Sequence, residues 1–598
     1  MRITAEDWLH KNKLVKLLVY IPLLIIFQNY AYIRSAYILI GLIFISTICI
    51  LGDFDHEIKK ANMIPIGVFC LLYSLMVVVR EKVSATDNLN ASVSENYMDE
   101  IWAIDIVMIF VGAFVLMPMV GGLIRVLPCV AQLIRKVCAK VKLDDFLDKK
   151  KLFLYLFCSF LIIWGIGYLS FFPGTIIRYD ALYALRAGPV RASDVSPIIF
   201  NFAVYGCIKL GMLIGYPNLG VALFCVLQMI ITAVVFSYII TWLYGEVESP
   251  VMVFVVWALF ALHPIYALLS FTMVKDMWYS LAIFMWLPFM YKEATGSFQN
   301  QKLRMIMFCV LIIFTMISRN NGFIVAPCLV LTLILFSKNM RRKYAIAGSV
   351  SVAVVMLLTR GLMGGVEHNF AESVGPILQQ IAMVYAYDGD IEPDDREFLN
   401  QILPEEGGWT DSETNVSYAP MCSDNLKYNI DHGLNSTFLN SHRMEFLGAY
   451  FRVFINNPDL CIEAYLLNTY GFWEDKEIGL WQSCVTDIEE NEFGIYQVSL
   501  LPEVVDGIVS NYYRAVWSII GIAGNYTWML FFIILSLFLY GKKRYVIILF
   551  PMLLNWVVIM MATPIAFAFR YVYYYLMEFP VLMVLLAGTK AAMIHREK

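Results

Sequence analysis

The sequence has little charge and lacks the motifs of soluble enzymes. Charged residues make up only 15% of its 598 residues, whereas hydrophobic residues make up 60%. Soluble domains carry about 25% charged and roughly 45–50% apolar residues. A soluble enzyme, a fibre and a disordered chain are therefore all excluded. A net charge of −4 offers no basic surface for a nucleic-acid partner, and no Walker A loop, GxGxxG turn, serine elbow or HExxH helix occurs.

The cysteine pattern excludes two more classes of protein. The 12 cysteines are scattered, many of them inside apolar runs, without a CxxC pair or Cys/His ligand spacing. Neither a structural zinc site nor a disulfide framework is expected. The first apolar run leads directly into a second one without a small-residue cleavage pattern, so we expect no cleavable signal.

What the sequence does contain is a long series of apolar runs, each long enough to cross a bilayer. We predict an all-α polytopic membrane protein with about 14 transmembrane helices. The predicted spans lie near residues 14–33, 36–52, 63–80, 101–124, 152–172, 219–243, 251–269, 276–291, 305–318, 322–337, 344–360, 516–540, 545–562 and 571–588.

The positions of lysine and arginine predict the orientation of these spans. Basic clusters mark cytoplasmic loops, and with fourteen crossings every cluster falls on the side of the N-terminus. We therefore predict a multi-pass protein of the cell membrane with both termini in the cytoplasm. Counting the apolar stretch 196–215 as a crossing would scatter the clusters over both faces, so we interpret it as a helix on the outer membrane surface.

The chain divides into four predicted regions. Residues 1–151 hold four spans and a basic amphipathic stretch from Arg125 to Lys151, and residues 152–360 form a transmembrane core with a first outer loop at 173–218. Residues 361–515 form a mixed extracytoplasmic domain, and residues 516–598 hold the last spans. Within the outer domain we predict helices at 443–456 and 459–470 and mainly loops at 385–440.

Isolated cations at the expected outer boundary are candidates for binding. Arg178, Lys275, Arg319 and Arg570 each lie near the outer end of a predicted span. Charges there are costly unless paired and often mark a substrate path, and arginine matches phosphate oxygens in a bidentate manner. For Lys275 a lipid headgroup is an equally good partner, and Arg319 could simply extend its side chain to the interface.

The remaining candidates have ordinary explanations beside the functional ones. Asp180 follows a Pro-Gly turn and could act as a general base or hold a metal ion, or it could pair with a nearby arginine. His263 could be a boundary histidine, and Asp276 could serve the helix dipole. Asn320 fits turn chemistry, and Tyr571 fits an aromatic girdle.

Taken in order, these short motifs resemble the GT-C superfamily of multi-spanning glycosyltransferases, and more narrowly a bacterial membrane-protein group within it. The motifs are "FFPGTIIRYD", "SPIIF", "HP", "VKDMWYSL", "SRNNG" and "RYVYYYLMEFP", and they cover about 152–360 and 516–598. The resemblance implies a GT-C-like core, a catalytic aspartate in the first outer loop and a sugar donor carried on a polyprenyl phosphate or diphosphate.

Transferred to this chain, the resemblance implies Asp180 as the base and Arg319 and Arg570 at the lipid phosphate. Lys275 and Asp276 match a second-loop acidic and basic site. The chain has Ser196-Pro197 where many relatives have His-Pro, and it lacks the paired acidic residues of several branches. A divalent metal ion as cofactor is therefore left open.

The predicted function is transfer of a sugar from a polyprenyl-linked donor to a cell-envelope glycan or lipid acceptor at the outer face, in contact with membrane lipids. The predicted substrate-binding residues are Arg178, His263, Lys275, Asp276, Arg319, Asn320, Arg570 and Tyr571. Two alternatives remain. A transporter or flippase would require ionisable residues near the membrane midplane, of which the sequence shows few, and a non-enzymatic scaffold or sensor could be built on residues 361–515.

Overall fold

The structure is a computed structural model. It describes residues 13–30, 60–83, 98–99, 101–139, 148–176, 181–191, 197–247, 250–363, 369–412, 417–429, 431–475, 486–514, 522–562, 565–566 and 568–588.

Apolar helices account for most of the described chain before residue 364. They are α1 (Lys13–Tyr30), α2 (Lys60–Lys82), α3 (Ala103–Ala139), α4 (Lys149–Ser170), α5 (Tyr183–Arg191), α6 (Ile198–Leu213), α7 (Pro217–Glu246), α8 (Pro250–Leu262), α9 (Pro264–Phe271), α10 (Lys275–Thr295), α11 (Gln301–Ser318), α12 (Gly322–Phe336) and α13 (Arg341–Met363). Side chains such as Leu154 and Ile162 remain 55% and 67% exposed on α4, as expected of a helix that faces lipid rather than water.

The second half of the chain adds shorter helices and then returns to apolar ones. These are α14 (Gly375–Ala386), α15 (Pro393–Asn400), α16 (Asp424–Lys427), α17 (Ser436–Ser441), α18 (Arg443–Asn456), α19 (Pro458–Thr469), α20 (Glu503–Arg514), α21 (Ala523–Leu539), α22 (Phe550–Ala562) and α23 (Tyr573–Gly588). Two short 3-10 helices lie at Tyr470–Phe472, after α19, and at Phe569–Val572, directly before α23.

The all-α membrane character is confirmed. Eight stretches of the described chain are long and apolar enough to cross a membrane, and the bent pair α8–α9 makes up to nine. Shorter or less apolar helices lie at the remaining predicted span positions that the structure describes. The predicted span at 36–52 lies outside the described residues. The predicted span at 101–124 does not end there, because α3 continues through the basic stretch to Ala139.

The stretch predicted as a surface helix is helical, and it packs tightly against α7. A Cβ atom on Gly211 would lie 2.6 Å from the backbone nitrogen of Gly220, so glycine is needed for this close approach. The opposite side of α6 leaves Leu210 and Leu213 exposed at 52% and 83%. This helix thus presents apolar side chains outward, as an interfacial helix would.

Residues 369–475 build a core of their own. Leu378, Leu399, Trp409, Phe446 and Leu467 are completely buried in it, together with the ends of α2 and α3. The helices predicted at 443–456 and 459–470 are confirmed as α18 and α19. The prediction of mainly loops at 385–440 is wrong in part, since three short helices, α15 to α17, lie there; each has eight or fewer residues and is too short to show a helical period.

The two ends of the bundle carry different chemistry. At one end Arg304 binds Glu293 through two contacts of 2.6 Å. At the same end Lys343 donates to the Gln301 side chain, and Arg544 donates to the Glu293 carbonyl. Asp276 begins the same helix α10, about 25 Å away at 1.5 Å per residue. Arg304, Lys343 and Arg544 therefore gather at one end, and the candidate residues Asp276, Arg319 and Arg570 at the other.

Candidate functional site

A short pair of parallel strands positions the start of α10. Strand β1 (Thr175–Ile176) pairs with β2 (Thr272–Met273), and the hydroxyls of Thr175 and Thr272 lie 2.6 Å apart. Helix α10 begins two residues after β2 and has Asp276 in its first turn. A carboxylate there interacts favourably with the helix dipole, yet Asp276 is completely buried, which requires a charged partner as well.

Arg319 provides that partner from the next helix. It is the C-terminal cap of α11 in an extended conformation, and the following turn closes when Phe323 N–H donates to the Asn320 carbonyl at 3.0 Å. Arg319 Nη1 lies 2.6 Å from Asp276 Oδ1. This contact is an ion pair, and neither Asp276 oxygen has an aligned hydrogen-bond partner among the described residues.

Arg570 approaches the same carboxylate from the start of the last helix. Its Nε lies 3.9 Å from Asp276 Oδ2, and its side chain is only 8% exposed. Arg570 stands in the 3-10 turn that leads into α23. Two guanidinium groups from distant parts of the chain thus converge on one buried carboxylate.

Tyr571 forms an aromatic surface for both cations. The guanidinium carbon of Arg319 lies 4.5 Å from the ring centroid, and that of Arg570 lies 5.3 Å away. Both distances are in the range of cation–π attraction, which is strong where water is excluded. The ring also stacks on Phe472 at 6.4 Å. We call Asp276, Arg319, Arg570 and Tyr571 the cation cluster.

Residues 369–475, which we call the outer region after its predicted side of the membrane, pack directly beside the cation cluster. Trp556 and Trp528 donate their indole N–H groups to the carbonyls of Phe472 and Trp473, at 3.0 and 2.7 Å. Ala566 N–H donates to the Met421 carbonyl at 2.9 Å. These contacts fix the outer region to the membrane helices and shield the cation cluster from water, which strengthens its electrostatic interactions.

Of the predicted residues, the structure brings together Asp276, Arg319, Arg570 and Tyr571. Lys275 opens α10 next to Asp276 and is half-buried. Asn320 contributes its carbonyl to the turn into α12.

His263 has a local contact in the structure: it caps α9, where its Nδ1 accepts the Ile265 N–H at 3.4 Å, and its ring meets the Tyr266 ring edge-on. Arg178 and Asp180 lie outside the described residues.

Sequence reasoning missed a second group of polar residues behind the cation cluster. Tyr279 lies with its ring 5.9 Å from the Arg319 guanidinium, and its hydroxyl donates to Asn555 Oδ1. Further along, Glu578 is completely buried, and neither of its carboxylate oxygens has a hydrogen-bond partner among the described residues. A single acid within the apolar run after Tyr575 was the signal that could have revealed it. The expectation of few midplane charges therefore overlooked this residue.

Glu463 lines a separate cleft between the N-terminal helices and the outer region. The cleft has a volume of 480 Å³ and is also lined by Lys82, Asp99, Trp102 and Tyr387. Burial, with a smaller contribution from Asp459, raises the pKa of Glu463 to about 7. This side chain therefore titrates near neutral pH, well above the usual range of a glutamate.

The residues that the structure describes include no group of three His, Cys, Asp or Glu side chains arranged to hold a metal ion. In the cation cluster the single carboxylate faces guanidinium groups, which are cations and cannot be metal ligands. The cation cluster therefore fits an anion and does not fit a divalent metal.

Comparison with known proteins gives a family match. The family described as "Family of unknown function (DUF6020)" matches residues 181–598. This stretch contains the cation cluster and Glu578, whereas Arg178 and Asp180 precede it. No curated protein and no solved structure matches the chain. Because the match covers well over half of its length, the chain belongs to DUF6020, a family of unknown function.

Proposed function

We propose that the protein is a membrane glycosyltransferase of the GT-C type. It moves a sugar from a polyprenyl phosphate or diphosphate donor to a hydroxyl of a cell-envelope glycan or lipid at the extracytoplasmic face. The observation that carries the proposal is the convergence of Arg319 and Arg570 on one buried point at the end of the bundle opposite the basic loops. Paired guanidinium groups are suited to phosphate oxygens.

The chemistry is a direct displacement at the anomeric carbon. The acceptor oxygen forms a bond to that carbon, the bond to the phosphate oxygen breaks, and the phosphate leaves with the electron pair. Arg319 and Arg570 stabilise the negative charge that develops on the leaving phosphate, and they do so most strongly where water is excluded. The displacement inverts the anomeric centre.

Asp180 takes the proton of the acceptor hydroxyl in this proposal. Support comes from the described residues on either side of it. Ile176 pairs with Met273, which lies three residues before Asp276, and Ala181 is completely buried.

Asp276 is a positioning residue for the two arginines. Its carboxylate lies 2.6 Å from the Arg319 guanidinium and holds it over the Tyr571 ring, with the guanidinium carbon 4.5 Å from the ring centroid. A phosphate that binds here competes with the carboxylate for the same N–H groups. Neither Asp276 oxygen has an aligned hydrogen bond among the described residues, so a phosphate that offers better geometry can displace the carboxylate from Arg319.

Sugar transfer by the full chain tests this proposal. The purified protein in liposomes is supplied with polyprenyl-phosphate-linked radiolabelled sugars and a cell-envelope extract as acceptor. We expect Asp180→Asn to lower turnover about 100-fold or more, and Arg319→Ala or Arg570→Ala to lower it about 100-fold.

The matched control is Arg452→Ala. Arg452 is also an arginine paired with an aspartate, with contacts to Asp395 at 2.8 and 2.5 Å, but its side chain is 50% exposed on the outer region. This variant should keep wild-type turnover. Equal turnover in the wild type, Asp180→Asn and Arg570→Ala would reject the assignment.

One observation favours transport of a lipid-linked or anionic substrate as the second candidate. Glu578 is the middle residue of the candidate span Phe569–Ala587, and buried acids at such depth are typical of transporters and pumps. Movement of the lipid-linked sugar across the liposome membrane without transfer of the sugar would favour this candidate over the first.

A further inference from the structure

We propose that Glu578 is a proton-binding site in the interior of the membrane. The proposal concerns a residue outside the cation cluster and does not depend on sugar transfer. Glu578 is fully buried on α23, and both of its oxygens lack a hydrogen-bond partner among the described residues. An ionised carboxylate in such a place would lose its hydration without any compensation. A bound proton removes the charge and leaves a neutral carboxylic acid.

Glu293 shows how this chain surrounds another buried carboxylate with hydrogen-bond donors. It is 3% exposed, and it accepts hydrogen bonds from Arg304, Ser337 and Tyr344. Glu578 has no such set of donors. The two glutamates are thus equally hidden from water but differ in the groups that could stabilise a negative charge.

The surroundings of Glu578 contain further polar groups, but no side chain among the described residues donates a hydrogen bond to its carboxylate. Tyr574, one turn earlier on α23, is buried, and its ring meets the Tyr575 ring edge-on at 4.9 Å. Tyr574 and Tyr575 are titratable neighbours on α23, and Tyr279 of α10 interacts with Tyr574. Tyr266 of α9 donates to the Leu576 carbonyl at 2.8 Å, and Tyr526 of α21 stacks on Tyr575. Arg570 stands in the 3-10 turn before α23, roughly 12 Å from Glu578 along the chain.

The occupant is a proton rather than a metal cation. A bound sodium or calcium ion requires several oxygen ligands around it. The described residues contain no cluster of acidic or other metal-ligating side chains, and Glu578 has a single carboxyl group. One proton on one oxygen needs no further ligand.

Reaction with dicyclohexylcarbodiimide tests the proposal. This membrane-soluble reagent modifies protonated carboxyl groups in apolar surroundings, and mass spectrometry of peptides from the full-length protein locates the adduct. We expect modification of Glu578, increasing as the pH is lowered, and none of Glu293, the matched control in the same molecule. In Glu578→Gln the adduct should disappear.

Three results would overturn the proposal. The first is no modification of Glu578 in the wild type at any pH, and the second is equal modification of Glu578 and Glu293. The third is a loss of modification when sodium chloride replaces choline chloride at fixed pH, which would mean that a metal cation occupies the site. All three are measured on the wild-type protein, so the test remains valid if Glu578→Gln fails to fold.

Discussion

At the scale of single residues, the molecule buries several charges and pairs most of them. Asp276 has Arg319 and Arg570, and Glu293 has Arg304. Removing one partner of a buried ion pair leaves an uncompensated charge, which costs far more than the pair itself contributes. These residues should therefore be sensitive to single substitutions and less sensitive to paired ones.

Asp276→Ala should lower the free energy of unfolding by about 3–5 kcal/mol. The reason is that the Arg319 guanidinium then stays buried beside Tyr571 without its carboxylate. The double variant Asp276→Asn/Arg319→Gln should lose less than the sum of the two single variants, as measured by thermal unfolding in detergent. Additive losses in this double-mutant cycle would show that the two side chains are not coupled.

Glu463→Gln should change the pH dependence of stability. Because burial raises the pKa of Glu463 to about 7 in the folded chain, against about 4.3 in an unfolded one, folding favours the protonated form. The wild type should therefore lose stability as the pH rises from about 4.3 through 7. Unfolding temperatures should be nearly equal in variant and wild type at pH 4, with the variant more stable at pH 8; a constant difference over this range would contradict the argument.

At the scale of elements, the cation cluster depends on how three helices begin or end. Asp276 begins α10, Arg319 ends α11, and Arg570 stands in the 3-10 turn before α23. The turn between α11 and α12 is tight, because a Cβ atom on Gly322 would lie 2.0 Å from the Thr315 carbonyl oxygen. The backbone on which Arg319 stands is therefore held by close helix packing.

Gly322→Ala should separate α11 from α12 and displace Arg319. We expect a loss of about 1–3 kcal/mol in the free energy of unfolding, typical of overpacking, together with weaker binding of a polyprenyl phosphate. The control is Gly206→Ala in α6, where an added Cβ meets no atom within 4 Å. Thermal unfolding and lipid binding measured on both variants check this; the same small effect in both would contradict it.

The positions of the spans and several members of the site were predictable from the sequence. The contacts between distant elements were not, because they depend on how the helices pack. Long apolar runs and basic loops identify spans, and the order of motifs pointed to Asp276, Arg319 and Arg570 as members of one site. Which of the boundary cations actually meet depends on contacts between elements far apart in the chain, as in the approach of Arg570 to Asp276. The unpaired state of Glu578 likewise depends on neighbours that no local pattern specifies.

At the scale of the whole molecule, the account depends on sidedness. The basic loops around Arg304 and Arg544 gather at one end of α10, and the cation cluster with the outer region gathers at the other. The predicted orientation puts the first end in the cytoplasm. The two ends should therefore react differently with a reagent that cannot cross the membrane.

Single cysteines introduced into a cysteine-free background should report this difference. Ser441→Cys, on the exposed surface of the outer region, should react with a membrane-impermeant maleimide in intact cells. Gln299→Cys, exposed between α10 and α11, should react only after the membrane is permeabilised. Reaction of Gln299→Cys alone in intact cells would mean the opposite orientation, and reaction of both would contradict the predicted sidedness. Either result would remove the basis for an extracytoplasmic reaction.

The most direct measurement of the central claim is binding of a radiolabelled polyprenyl phosphate to the purified full-length protein. We expect Arg319→Ala and Arg570→Ala to weaken binding at least about tenfold, a loss of about 1.4 kcal/mol, and the exposed-pair control Arg452→Ala to bind as the wild type does. Identical affinities in all four proteins would contradict the claim that the buried cation cluster is the phosphate site.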